Sequence, residues 1–164
     1  MATQAAIPVE EYLRSSYEHD REYVHGEVVE RAMPTKKHGR TQTLLARCLA
    51  TVEQTHAAYV VTETRAKLDE DLFRIPDVSV YWPPPAGEVP SVPPLVAIEI
   101  LSPDDPFSAV MKKCAEYRRW GVKHVWVTDP DERKLMVYDD GLRPVGEIII
   151  PEFNLTITPA QIFE

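Results

Sequence analysis

The chain has 164 residues, 44% of them apolar and 27% charged, which suits one globular core and excludes a disordered or fibrous chain. Its formal charge of −8, from 18 Lys and Arg against 26 Asp and Glu, argues against a protein that coats nucleic acid by charge alone. A local basic patch working with a metal ion remains open.

The first residues lack a basic start followed by an apolar stretch, and no apolar run approaches the about 20 residues that span a bilayer. Cys48 and Cys114 show no CxxC or zinc-type spacing and are expected as buried free thiols. A cytoplasmic chain with no membrane partner is expected.

In chain order, residues 8–18, opened by Pro8 and carrying Val9, Tyr12 and Leu13, predict a short amphipathic helix. Residues 22–33 alternate around His25-Gly26 and predict a hairpin. After a polar, basic connection from Thr35 to His38, the spacing of Leu44, Leu45, Cys48, Leu49 and Val52 predicts a helix over 38–55. Residues 58–68 read as one strand, Asp69 to Asp71 as an acidic turn, and 73–82 as the next strand. The proline-rich segment 83–94 predicts a stiff surface loop with nothing to pack, inserted between two strands of one sheet.

The run from Leu95 to Leu101, broken only by Glu99, predicts a central strand buried on both faces. Ser102 to Pro106 punctuates the chain, and a helix over 106–120 stops at Gly121. His124–Thr128, 134–139 and 145–150 read as strands, and 159–163 as a last helical turn. The expected fold is α/β: a mixed central sheet flanked by helices, one domain over residues 1–164.

Glu99 is the first residue that suggests chemistry. A carboxylate inside a buried apolar strand is costly unless it is paired or bound to a metal. Alone, it fits a partly exposed strand end, or a salt bridge to Arg or Lys, better than it fits a metal ligand. Asp77 stands at the head of a second β-branched strand, in Arg-Ile-Pro-Asp-Val. Two acids on neighbouring strands can converge on one hard cation, and Mg2+ needs only one or two carboxylates besides water. Strand alternation puts Ala97, Glu99 and Leu101 on one face. A lysine two residues after the acid would complete the common nuclease pattern, but that position is Leu101. On the next helix, at about 100° per residue, Lys113 falls inside the apolar stripe of Val110, Cys114 and Tyr117, whereas Lys112 points the other way. The alternative is a Lys113 that snorkels to water.

The segments Arg-Ile-Pro-Asp-Val, Val-Ala-Ile-Glu-Ile-Leu-Ser-Pro, Lys113 with Tyr117, Gly121-Val122 and Trp126-Val127-Thr128-Asp129-Pro130 occur here in order. With His25-Gly26-Glu27-Val28-Val29 and His38, they resemble the family of small bacterial proteins described as putative restriction endonucleases, within the PD-(D/E)xK nuclease superfamily. The likeness runs from about Tyr12 to Phe163. It implies a restriction-endonuclease-like fold whose active-site lysine has moved onto the helix. It further implies Asp77 and Glu99 as ligands of Mg2+ or Mn2+, Lys113 beside the attacking water, and Glu27 helping to position the metal or its waters. His25 stands where the family more often has an acid.

His38 opens a helix, and Arg31, Lys36, Lys37 and Arg40 surround it in the most basic short stretch of the chain. The expectation is that Lys36, Lys37, His38 and Arg40 contact phosphates as one face, with a solvated basic loop as the alternative. Three functions are held side by side: an Mg-dependent endonuclease on DNA, acting as a homodimer where both strands are cut; a non-catalytic binding or scaffold module that keeps the nuclease fold; and an enzyme on a small phosphorylated molecule.

Overall fold

The structure is a computed structural model and describes residues 6–164. After α1 (Val9–Arg14), β1 (Arg21–Val24) and β2 (Glu27–Glu30) form the expected hairpin. Both turn residues, His25 and Gly26, have positive φ, as a tight two-residue hairpin turn requires. A side chain at position 26 would also collide with Ala6, whose Cβ would lie 2.9 Å away. The expected long helix is two, α2 (Lys36–Leu49) and α3 (Thr51–His56), interrupted at Ala50.

The two strands expected over 58–68 and 73–82 are four. They are β3 (Tyr59–Thr62), β4 (Ala66–Asp69), β5 (Leu72–Arg74) and β6 (Val78–Tyr81). Each pair is divided between two sheets. The first break falls at Glu63, with φ of 50°. The second falls at Ile75-Pro76-Asp77, where Pro76 has no N–H for a ladder.

The proline-rich loop is packed rather than free. Pro90 and Pro94 are buried, Val89 lies against the Tyr12, Tyr23 and Phe73 cluster, and the Pro90 carbonyl accepts from the Lys67 N–H at 2.8 Å. β7 (Val96–Ile100) follows and is wholly buried. Then come α4 (Phe107–Trp120), β8 (His124–Asp129), β9 (Lys134–Tyr138), β10 (Leu142–Val145) and β11 (Ile148–Ile150). The strand expected over 145–150 is broken at Gly146-Glu147, and β10 before the break was not expected. The chain finishes with β12 (Leu155–Ile157), also not expected from sequence, and α5 (Pro159–Ile162).

The main sheet has six strands in the order β10-β9-β8-β7-β6-β3. Only β7 and β8 pair in parallel, and α4 makes the crossover between them. The second sheet is β2-β1-β5-β4, and β11 pairs with β12. Period-two alternation divides the main sheet's side chains cleanly. Val78, Val80, Val96, Ile98 and Ile100 pack with Leu44, Leu45 and Leu49 of α2. Ala97, Val125 and Val127 pack with Val110, Cys114 and Tyr117 of α4. Glu99 therefore sits on the α4 face, on a strand buried from both sides. Cys48 and Cys114 are free thiols. Among the described residues, no helix is long and apolar enough to cross a membrane.

Candidate active site

Asp77 is placed by the junction between the two sheets. The β6–β7 register, Val78 against Ile98, carried one step back sets Asp77 opposite Glu99. Asp77 is 2% exposed. Its Oδ2 accepts from the Ile100 N–H at 2.6 Å, and its Oδ1 from Arg31 Nη2 at 2.6 Å, with His38 Nε2 3.4 Å from the same Oδ1. Burial alone would raise the Asp77 carboxyl. The His38 contact and the Arg31 charge more than offset it and hold the group below the usual carboxylate range. His38 is shifted the opposite way: burial would lower it, but Asp77 raises it.

Glu99 is 5% exposed and meets α4. Its Oε1 accepts from the Tyr117 hydroxyl at 2.6 Å, and its Oε2 lies 3.4 Å from Lys113 Nζ. Lys113 and Tyr117 are one helical turn apart, so both reach the same carboxylate. Burial pushes Glu99 up to about 7; Lys113 opposes this, and the charges of Asp77 and Glu22 add to it. Burial would lower Lys113, but Glu99 and Glu22 raise it, so the ammonium stays charged.

Glu22 was not found by sequence reasoning, yet it is the nearer partner of that ammonium, with Oε1 3.1 Å from Lys113 Nζ. The same Oε1 accepts from the Ile75 N–H at 3.0 Å, and Oε2 accepts from Arg74 Nη1 at 2.9 Å. Arg74 in turn grips Glu116 through Nε at 2.7 Å and Nη2 at 3.1 Å. The network is therefore Glu99–Lys113–Glu22–Arg74–Glu116, continued to Asp77 across the β6–β7 pairing. A charged residue inside Leu-Phe-Arg-Ile was the available signal for Arg74, since a buried guanidinium demands a buried acid.

The expected residues do not all converge. Asp77, Glu99 and Lys113 come together. Glu27 shares the hairpin face of Glu22, because Val24 pairs with Glu27 and Glu22 with Val29, but it is exposed at the cavity rim. The basic stretch does not form one face, because α2 turns about 100° per residue. His38 is buried at Asp77, Lys37 pairs with Asp131 at 2.6 Å, Arg40 pairs with Glu164, and Lys36 is exposed. Arg31 points inward. Lys112 is exposed and stands on the rim, so it borders the cavity despite its turn away from Lys113. The cavity measures about 520 Å³ and is floored by Glu22, Asp77, Glu99 and Lys113.

The donor set fits a hard cation. Four buried acids, Glu22, Asp77, Glu99 and Glu116, meet Arg31, Arg74, Lys113 and the imidazole of His38. Glu99 is raised chiefly by burial, with the charges of Asp77 and Glu22 adding to it. Carboxylate oxygens of Asp77 and Glu99 facing each other across one strand pair are the donor type that Mg2+ or Mn2+ takes. Asp77 and Glu99 would hold it, with Glu22 beside them. Among the described residues, no three His, Cys, Asp or Glu side chains are already arranged as ligands, so a cation has to displace ion-pair donors.

Comparison with known proteins bears on the fold and the family. The solved structure described as a "putative nuclease belonging to DUF820" from Anabaena variabilis ATCC 29413 is 26% identical, with a TM-score of 0.84. The match covers 96% of this chain and 97% of that one. No curated protein matches. The Uma2 family, described as "Putative restriction endonuclease", matches residues 9–163, and the chain belongs to that family.

Proposed function

We propose that the protein is a metal-dependent endonuclease that hydrolyses DNA phosphodiester bonds. The observation that carries this reading is the meeting of Asp77, Glu99 and an α4-borne Lys113 on the floor of one cavity. A bound Mg2+ or Mn2+ supplies charge neutralisation at phosphorus and acidifies water. Lys113, held between Glu22 and Glu99, stands beside the water that attacks phosphorus; the water gives up a proton to solvent, the bridging ester bond breaks, and the leaving oxygen takes a proton from solvent. Tyr117 fixes the rotamer of Glu99 by its hydroxyl, and the Ile100 N–H fixes that of Asp77. Glu27 at the rim orients outer waters. Phosphates flanking the scissile one meet Lys112, with Lys36 further along the surface. Cutting both strands of a duplex takes two such centres, so a homodimer is the expected assembly on duplex DNA.

The test is cleavage of single-stranded, duplex and structured DNA with Mg2+, with Mn2+ and with neither, for wild type and Asp77→Ala. Metal-dependent cleavage lost in the variant is the expected result. No cleavage on any substrate, with no Mn2+ binding by calorimetry, overturns it. One observation favours the non-catalytic module instead: Asp77 and Glu99 are already neutralised from within by Arg31 and Lys113.

A further inference from the structure

We propose that Arg31 holds the place of the divalent cation on Asp77 in the metal-free protein and, once displaced, turns its guanidinium to the substrate phosphate. The inference rests on the metal-dependent reading above and gives one residue two successive partners.

Arg31 follows β2 directly, and its side chain is 14% exposed. The guanidinium forks, with Nη1 on Glu63 and Nη2 on Asp77 Oδ1 at 2.6 Å. Asp77 Oδ2 is held by the backbone of β7, which cannot move without breaking the sheet. Both side-chain donors, Arg31 and His38, gather on Oδ1. A cation that takes Oδ1 therefore has to displace Arg31, the nearer of the two, because two adjacent positive centres repel.

Arg31 has somewhere to stay when it lets go. Glu63 is its second anchor, and Glu63 is itself fixed by Gln42, whose Nε2 donates to Glu63 Oε1 at 2.8 Å and to the Asp77 carbonyl at 2.9 Å. Release from Asp77 leaves Nη2 free while Nη1 keeps its partner. The freed edge lies in the wall of the same cavity as Lys112 and Lys113. A guanidinium offers paired N–H donors that match phosphate oxygens better than an ammonium does. Before the cation binds, Arg31 spares Asp77 the cost of burial without a full counter-charge. Afterwards its freed edge is no longer committed to an acid that the metal needs.

The experiment is Mn2+ titration calorimetry on the wild-type protein and Arg31→Ala, followed by binding of a short single-stranded DNA in Ca2+. Loss of a charge-assisted competitor should tighten Mn2+ binding by about tenfold, and loss of the phosphate contact should weaken DNA binding by about tenfold. Mn2+ affinity that is equal or lower in the variant overturns the inference and leaves the metal-dependent reading standing. No Mn2+ binding by either protein overturns both. Should Arg31→Ala not fold, the wild-type protein decides alone. During a Mg2+ titration, the Arg31 Nε–H resonance must move on the same curve as the Ile100 amide. A stationary Arg31 signal while Ile100 saturates overturns the exchange of partners.

Discussion

Replacing Glu99 by Gln should make the metal-free protein more stable at neutral and alkaline pH, although it removes a proposed ligand. Gln is the neutral isostere of the protonated acid and can still accept from Tyr117. Burial raises the folded-state Glu99 from 4.5 to about 7. A carboxyl raised on folding contributes stability that is fully present below its unfolded pKa and is lost as pH rises through its folded pKa. Wild type and Glu99→Gln should therefore be similar below about pH 4.5 and diverge through about pH 7, with the variant ahead at higher pH. The raised value corresponds to a gap of ~3 kcal/mol at full ionisation, as an order of magnitude. The assay is urea unfolding in a chelator across that pH range, both proteins measured in the same buffers. Other titrating groups largely cancel in the difference. A variant less stable than wild type at alkaline pH, or a gap that does not change with pH, would refute the reasoning. Either result would mean that Lys113 and Tyr117 stabilise the ionised Glu99 at least as much as burial disfavours it.

Three further outcomes follow from the same network. Lys113→Ala should lower metal-dependent cleavage by about 10²–10³, and Lys112→Ala should cost far less, as single-turnover rates will show. Arg74→Ala strands Glu116 without either of its donors and weakens the hold on Glu22, so it should cost about 3–5 kcal/mol by urea unfolding; Arg74→Met/Glu116→Leu should recover most of that loss. DNA binding should require Ca2+ or Mg2+ and show a shallow salt dependence, at about 0.9 in logarithmic slope per duplex phosphate contact, because few cations border the cavity; a steep, metal-independent slope in a filter-binding assay would contradict this.

The acids on the central strands were legible because an acid inside an apolar run violates the pattern around it. Lys113 was legible for a related reason, since helical periodicity placed a charge within a buried stripe. Glu22 was hidden because Arg-Glu-Tyr-Val reads as a half-exposed strand, with polar residues turned to water. In the structure both faces of β1 are covered. Tyr23 packs with Tyr12 and Phe73 on one side, and Glu22 meets Lys113 and Arg74 on the other. Glu27 was chosen through the hairpin motif; it lies on the Glu22 face but beyond the cover of α4. The basic stretch resembles a patch because its members are close in sequence, whereas helical geometry sends Lys37, His38 and Arg40 to three different acids and leaves Lys36 exposed. The split strands were missed because extended segments on either side of Pro76 look continuous, and nothing local says that they belong to different sheets.

The division at Pro76 has a consequence for how the protein comes into being. The centre is stitched from distant stretches of chain: Arg31 reaches Asp77 across 46 positions, Arg74 reaches Glu22 across 52, and Tyr117 reaches Glu99 across 18. Contacts of such separation form late, after loop closure has been overcome. During synthesis Glu22 leaves the ribosome long before Arg74 and Lys113 exist, and it stays hydrated until α4 closes over it. Any chain broken before Lys113 carries the acids without the ammonium that would work beside them. The buried network is thus a property of the completed chain alone, and on the proposed endonuclease reading a partly made chain could not cut the DNA around it.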